Sequence, residues 1–390
     1  MAFKLGCTSF GGPVAHLGYF HAEYVQRRRW LSETAYADLV ALCQFLPGPA
    51  SSQLGFSIGL LRGGLAGGLL AWVGFTLPSA VVMILCGYGM AALGEVGTQG
   101  WLKGLKLAAV AVIAQAVWTM AGKLCAGRVR GSVALLSAGT ALVWSTAPWM
   151  PGAVLAGGAL FGWTFLKTNP GQQPDRAPDA AMTVPGIGRK TALVSLALFF
   201  GLLAGLPALR TAADHPGWAV FDSFYRSGAL VFGGGHVVLP LLQAGTVTPG
   251  WVAGDRFLAG YGLAQAVPGP LFSFAAFLGT VLTPPRPHGL AGALLCLVAI
   301  YLPSGLLVLG TLPFWEKLRQ LAGAQATLQG ANAAVVGLLL AALYQPVWTS
   351  AVHRPVDFVT VLGAFGLLVL WRVPPWLVVG LSAASGALFL

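Results

Sequence analysis

Charge is what this sequence has least of. Only 8% of its 390 residues are Asp, Glu, Lys or Arg, against about 25% in an ordinary soluble domain. A soluble chain of this length needs a charged shell that so few residues do not supply. Cysteine is scarce as well. Cys7, Cys43, Cys86, Cys125 and Cys296 are scattered, with no C-x-x-C. A disulfide scaffold, a zinc site and a thioredoxin-type redox motif are therefore poorly supported, and the five read as small apolar packing residues. No G-x-x-x-x-G-K-[ST] is present, since Gly188-Arg189-Lys190-Thr191 has arginine where glycine belongs. H-E-x-x-H and G-x-S-x-G are missing too. Gly87-x-Gly89-x-x-Ala92 has the look of a dinucleotide fingerprint, but no strand precedes it. An enzyme is not expected, nor nucleotide hydrolysis, a metal or a cofactor. No apolar run precedes Lys4-Leu5-Gly6-Cys7, so no cleavable signal is read there.

What the sequence does have is apolar surface. Hydrophobic residues make up 56%, with 54 glycines, 13 tryptophans and a mean hydropathy of +0.77. These values exclude intrinsic disorder. The apolar runs are continuous rather than alternating over roughly 10-residue strands, which excludes a barrel. The fold class read here is an all-α polytopic membrane protein. The net charge of +11 has no basic face to carry it, so no nucleic-acid partner is expected. Lys and Arg fall mostly between the apolar runs, as residues that set membrane orientation do. The one dense cluster, Arg27-Arg28-Arg29 before Trp30, reads as a headgroup anchor.

Crossing a bilayer takes about 17–25 apolar residues. Such stretches lie near 3–20, 36–61, 65–92, 104–122, 131–147 and 149–166, and resume near 191–209, 224–243, 257–281, 289–312, 328–346, 356–371 and 373–389. Between them, 168–190 is the longest polar, proline-rich segment and reads as a linker.

The two flanks of that linker are copies. Phe10-Gly11-Gly12 returns as Phe232-Gly233-Gly234, Pro47-Gly48-Pro49 as Pro268-Gly269-Pro270, and Leu77-Pro78-Ser79 as Leu302-Pro303-Ser304. A looser match joins Leu102–Val112 to Leu328–Leu338. The offsets are 222, 221, 225 and 226 residues, in the same order. That register defines an internal repeat. The organisation expected is a first repeat over 1–167, a cytoplasmic linker over 168–190, a connecting membrane helix over 191–210 and a second repeat over 211–390. Six segments plus the unmatched helix put an odd number of crossings between equivalent points, so the second repeat is expected to be inverted, a recurring plan of secondary transporters. If the F-G-G and P-G-P segments enter and return rather than cross, the parity is unchanged. The Lys/Arg excess on the linker side then grows and takes in Arg27–Arg29, which favours broken, re-entrant helices.

Candidate site residues follow from the breaks. Two prolines in Pro47-Gly48-Pro49 and in Pro268-Gly269-Pro270 remove amide donors and stop a helix. Irregular backbone in a membrane is tolerated only within protein or beside water. The exposed amides and dipole of a broken helix suit an anion; a plain structural kink is the alternative. Gln44 and Gln265 stand three residues before each motif, and Ser52 and Ser273 match behind it. These serines either donate to an oxyanion or bond back to their own helix. Gly11, Gly12 and Pro13, with Gly233, Gly234 and Gly235, permit close backbone approach. His16 and His236 follow them, each either a satisfied polar side chain or a proton relay or anion donor. Arg226, six residues before Phe232, is the nearby charge least easily explained by snorkelling.

Phe10–Pro13 followed by His16, Arg27–Leu31, Gln44–Pro49, Phe75–Ser79 and the run Gly262–Phe272 after Phe232 resemble the chromate transporter family in its long, fused form. The match covers nearly the whole chain. The resemblance implies chromate efflux across a bacterial inner membrane, driven by membrane potential or a proton gradient, with sulfate as a similar oxyanion. Lipid is the other expected partner, and a homodimer is left open. A carrier for sulfate or another anion, and a non-transporting scaffold, are the alternatives. Only nine residues precede Phe10, where family members have a longer lead-in, so a shortened or differently started first span is expected.

Overall fold

The computed structural model describes residues 1–92, 100–145, 147, 149–166, 187–213, 215–232, 235–319 and 321–389. Most of the expected linker 168–190 lies outside them, as do Gly233 and Gly234. Among the described residues every regular element is helical. The first half holds α1 (Ala2–Thr8), α2 (Gly12–Phe20), α3 (Glu33–Phe45), α4 (Ala50–Ala92), α5 (Gly100–Leu124), α6 (Arg128–Val143) and α7 (Met150–Phe165). Helix α8 (Arg189–Ala212) covers the expected connecting segment. The second half holds α9 (Pro216–Ala229), α10 (Val238–Thr246), α11 (Gly254–Ala266), α12 (Phe274–Val281), α13 (Gly289–Thr311), α14 (Trp315–Arg319), α15 (Ala322–Ala342), α16 (Thr349–Ala351), α17 (Pro355–Val369) and α18 (Pro375–Phe389). Among the described residues five helical stretches are long and apolar enough to cross a bilayer: Ala50–Ala92, Gly100–Leu124, Arg189–Ala212, Gly289–Phe314 and Gly323–Ala351. Large apolar side chains such as Leu135, Trp163, Phe165, Phe200 and Leu370 stand exposed, as lipid-facing residues do. The chain is a multi-pass membrane protein.

Helix α4 is two arms. Gly63 and Gly64 leave helical geometry, Gly64 with φ +57°, a conformation that costs glycine least. The arm before them folds back on the arm after. Gly59 and Gly67 approach so closely that a methyl on either would meet the other's carbonyl, and Gly68 abuts Leu60 and Phe56. In the second half α12 and α13 pack the same way, through Gly279 and Gly292. Helices α3 and α11 have 13 residues each, about 20 Å at 1.5 Å per residue. That is short of the roughly 30 Å hydrocarbon core. The expected span 36–61 is accordingly broken at Pro47–Pro49, and 257–281 at Pro268–Pro270.

The second arm of α4 and its counterpart α13 run antiparallel to each other. The Tyr88 hydroxyl accepts from Leu290 N at 2.8 Å, while Trp72, further back along α4, meets Tyr301, further forward along α13, with ring centroids 5.4 Å apart. The ends of these hairpins repeat as well. Arg62 lies 4.9 Å over the Trp30 ring, with Arg28 at 5.2 Å; Arg286 lies 4.8 Å over Trp251. Arg28 and Arg27 also donate to Glu23, at 2.7 and 3.1 Å, and Arg28 foremost holds that carboxyl below its ordinary range.

The halves interleave. Helix α5 packs on α17 and α18, and its counterpart α15 packs on α6 and α7. Small residues make these contacts backbone-close: Gly100 with Gly386, Gly104 with Ser382, Gly158 with Gly330, Gly162 with Ala326. Two ion pairs cross the same boundary, Lys103 to the fully buried Asp357 at 2.7 Å and Lys106 to Asp255 at 2.9 Å.

Candidate oxyanion site

Gly48 and Gly269, at φ +125° and +102°, turn the chain between the paired prolines. Their amides are not free for an anion. Gly48 N donates to Val231 O at 2.7 Å, and Gly269 N to Ser9 O at 2.9 Å. Each P-G-P turn is thus bonded to the residue that precedes the other half's F-G-G motif. The L-P-S serines follow the same exchange. A methyl on Gly48 would sit 2.6 Å from Ser304 Oγ, and one on Gly269 would sit 3.0 Å from Ser79 Oγ.

Gly11 and Gly12 of the first F-G-G motif meet Gly235 and His236, which follow the second, at one cavity of about 410 Å³. Gly11 and Gly12 line it from the start of α2, Gly235 and His236 from the 3-10 turn before α10, and Gln265 from the last turn of α11. Gly11 is left-handed at φ +95° and caps α2, so the first turn of that helix opens beside the cavity. Pro374 and Pro375 bring the start of α18 to the same wall, and Phe10 packs on Trp376 behind it at 6.0 Å. Two helix N-termini place positive dipole ends here. The His236 ring is set by the Tyr261 hydroxyl, 2.8 Å from Nδ1. Gln265 Nε2 is buried without a hydrogen-bond partner.

Sequence reasoning missed the cations. Lys123, from the last turn of α5, and Arg372, between α17 and α18, line the cavity and are both exposed. Gln115 and Thr119 continue the α5 wall. At the sequence level Lys123 and Arg372 are span-end residues like many others. The one usable signal was helical spacing, since Gln115, Thr119 and Lys123 recur every four residues and share a face.

Other candidates lie elsewhere. His16 is fully buried, with Nδ1 3.2 Å from Ser51 Oγ and Nε2 3.2 Å from Ser9 O; both ring nitrogens are engaged in packing the α1–α2 break. Gln44 is exposed, so it and Gln265 occupy different surroundings. Ser273 donates to Pro270 O at 2.8 Å, the back-bonding alternative, whereas Ser52 Oγ is buried with no partner. Pro13 belongs to the first turn of α2.

Arg226 is held by Asp222 at 2.6 Å and donates to Leu203 O at 2.8 Å. That carbonyl is left over because Pro207, four residues on in α8, has no N–H to give it. Arg226 lines a second cavity, of about 500 Å³, with Arg210, Ser223, Thr248 and Trp251. Among the described residues no group of three or more His, Cys, Asp or Glu is placed to hold a metal.

The sequence profile of the chromate transporter family matches residues 1–163 and 218–387. The chain is 30% identical to the chromate transport protein of Pseudomonas aeruginosa over 86% of this chain and 77% of that one. It is 26% identical to the chromate transport protein of Cupriavidus metallidurans, over 98% and 90%. A "Probable chromate transport protein" of Synechococcus elongatus is 27% identical over 99% and 93%. No solved structure gives a significant match.

Proposed function

This chain belongs to the chromate transporter family, and we propose that it is a secondary transporter that carries chromate out of the cell through a path bordered by both repeats. The observation that carries the reading is the cavity where Gly11, Gly12, Gly235, His236 and Gln265 from the two halves meet Lys123 and Arg372. Two cations, two helix starts and an unpartnered amide donor make a place that attracts and orients a tetrahedral dianion. The cations are exposed, so the ion keeps part of its hydration there, which avoids the cost of stripping it completely.

Short helices meeting at the P-G-P turns support two re-entrant hairpins. The antiparallel course of the second α4 arm and α13 supports inverted repeats over 1–167 and 211–390. Under that arrangement linker 168–190, Lys123, Arg372 and the Trp30–Arg62 contact share the cytoplasmic side. Export is the direction the field favours: one charge crossing 100 mV is worth about 2.3 kcal/mol, so an unprotonated dianion leaving a negative-inside cell gains about 4.6. No nucleotide is then needed, in keeping with the missing phosphate-binding motif.

The test is radiolabelled chromate flux in proteoliposomes with imposed potential and pH gradients. Wild type should transport without ATP. Lys123→Gln with Arg372→Gln should raise KM about tenfold while the protein remains folded, and the effect should shrink in high salt. Flux that requires ATP whatever the gradients, or a charge-free vestibule that leaves KM unchanged, overturns this reading.

A further inference from the structure

A buried tyrosine behind the vestibule decides what His236 can offer an anion. Tyr261, in the middle of α11, is fully buried. Its hydroxyl lies 2.8 Å from His236 Nδ1 and has no other partner among the described residues. Its ring has little freedom. Phe274 meets it edge-on, with centroids 5.8 Å apart, and Phe257 and Phe277 brace Phe274 in turn at 5.2 and 6.1 Å. The hydroxyl is therefore held at the imidazole.

Hydrogen-bond accounting then fixes the tautomer. A phenol donates one proton, and a neutral imidazole has one N–H and one bare nitrogen. If Nδ1 carried the hydrogen, it would donate to the phenol oxygen and leave the buried O–H with nothing to receive it. If Nδ1 is bare, the O–H donates to it and both groups are satisfied. Stranding a buried donor shifts such a balance by roughly tenfold or more, so the hydrogen sits on Nε2. That atom has no hydrogen-bond partner among the described residues, yet it is not one of the sealed polar atoms. The Nδ1 edge faces Tyr261, which does not line the cavity; His236 does. The Nε2–H therefore opens on the cavity that Lys123 and Arg372 share. Among the described residues no Asp or Glu lines that cavity to capture it.

The internal repeat shows that the fold does not require this pair. The offsets of 222 at F-G-G and 221 at P-G-P place Val14 and Val40 at the positions equivalent to His236 and Tyr261. Both polar members stand in one half, and both are replaced by valine in the other. An apolar pair suffices for the equivalent hairpin, so the polar pair has a use other than packing.

We infer that Tyr261 is a positioning residue: it holds His236 in its Nε2–H form, and that N–H donates to the bound oxyanion. The inference rests on the transport reading and deepens it. Lys123 and Arg372 are exposed and attract the ion without fixing how it lies. An N–H on a ring held from behind supplies one fixed direction. The opposite tautomer would aim a lone pair at the same oxygen and repel it.

The experiment is nitrogen-15 NMR of the full-length protein labelled at histidine, with chromate as ligand, beside chromate flux in proteoliposomes. His236→Leu identifies the His236 signals by their loss. Wild type should show hydrogen on Nε2 and a bare Nδ1, and chromate should move the Nε2 signal. Tyr261→Phe, which keeps the ring, should populate both tautomers and raise KM about threefold or more with kcat unchanged. His236→Leu should raise KM about tenfold. In the His236→Leu background Tyr261→Phe should cost nothing further, because no tautomer is left to set. A loss there as large as in wild type marks a merely structural tyrosine and overturns the inference. Hydrogen on Nδ1, or an Nε2 signal that chromate leaves unmoved, overturns it too, whether or not flux proceeds. Wild type that binds chromate at Nε2 but moves none overturns the transport reading and leaves the pair standing.

Discussion

The Gly48 amide donates to Val231 O at 2.7 Å, joining the P-G-P turn of one repeat to the residue before Phe232 in the other. The reciprocal bond, Gly269 N to Ser9 O, is 2.9 Å. These bonds fix the two turns against each other's partners, so a displacement of either F-G-G segment strains the opposite P-G-P turn. A Cβ on Gly48 would lie 2.6 Å from Ser304 Oγ and 2.7 Å from Gln53 Nε2, so the turn leaves no room for a side chain.

Gly48→Leu and Gly269→Leu should abolish most transport. Both positions need a positive φ that side chains disfavour; a Cβ would clash at Gly48 and be tight at Gly269. Gly48→Ala should be milder but measurable, a loss of about tenfold in flux. Fluorescence-detected size exclusion separates misfolding from lost function. Gly59→Leu, which strikes the tight contact with Gly67, should instead lower folded yield.

Single cysteines beside Arg62 and beside Arg286, in a background lacking the five native cysteines, should be labelled from opposite faces of the membrane. Positions 170–185 should label from the Arg62 face. Labelling of the Arg62 and Arg286 positions from one face would falsify the inverted arrangement.

Arg226→Ala should lower thermal stability rather than chromate affinity. It strands the buried Asp222 carboxylate and the Leu203 carbonyl, a loss of about 1.5–3 kcal/mol for hydrogen bonds to a charged group. Adding Pro207→Ala restores an N–H for Leu203 O and should recover part of the loss. A melt on the four proteins of this cycle, with KM for chromate measured alongside, checks both parts. A rise in KM with no change in melting temperature is the contrary result.

Lys103→Met should be among the most destabilising single changes outside the site. Asp357 is fully buried, and the remaining partners, the N–H groups of His353 and Arg354 and the Arg354 guanidinium at 3.4 Å, compensate it only in part. Breaking a buried pair costs about 3–5 kcal/mol. Lys103→Met with Asp357→Leu should regain much of it, read as melting temperature in detergent.

The breaks were legible in the sequence because two prolines around a glycine act locally and stop a helix, as at Pro47–Pro49, whereas a lone proline such as Pro207 is carried within α8. The repeat was legible because four motifs kept register. What each break touches was not. The exchange between Gly48 and Val231, 183 positions apart, is a pairing between copies and leaves no local mark. His16 and Arg226 had the residue types of a functional site, but their roles depend on Ser9 O, Ser51 and the carbonyl that Pro207 vacates. Lys123 and Arg372 were hidden for the opposite reason. Each resembles an ordinary membrane-edge cation until α5 and the α17–α18 turn are seen facing one cavity.

The interleaving of α5 with α17 and α18 has a consequence for biosynthesis. Helix α5 ends at Leu124, but its close partners on α18, Ser382 and Gly386, emerge more than 250 residues later. At about 5–20 residues per second, α5 waits in the bilayer for some tens of seconds with its Gly100–Gly104 face uncovered and Lys103 without Asp357. During that interval the first half has no complete core of its own, and any quality-control factor that surveys unpaired membrane helices meets it there. A chain cut short before Pro375 leaves the Gly100–Gly104 face of α5 uncovered, so loss of α18 is felt in the first half as well as the second.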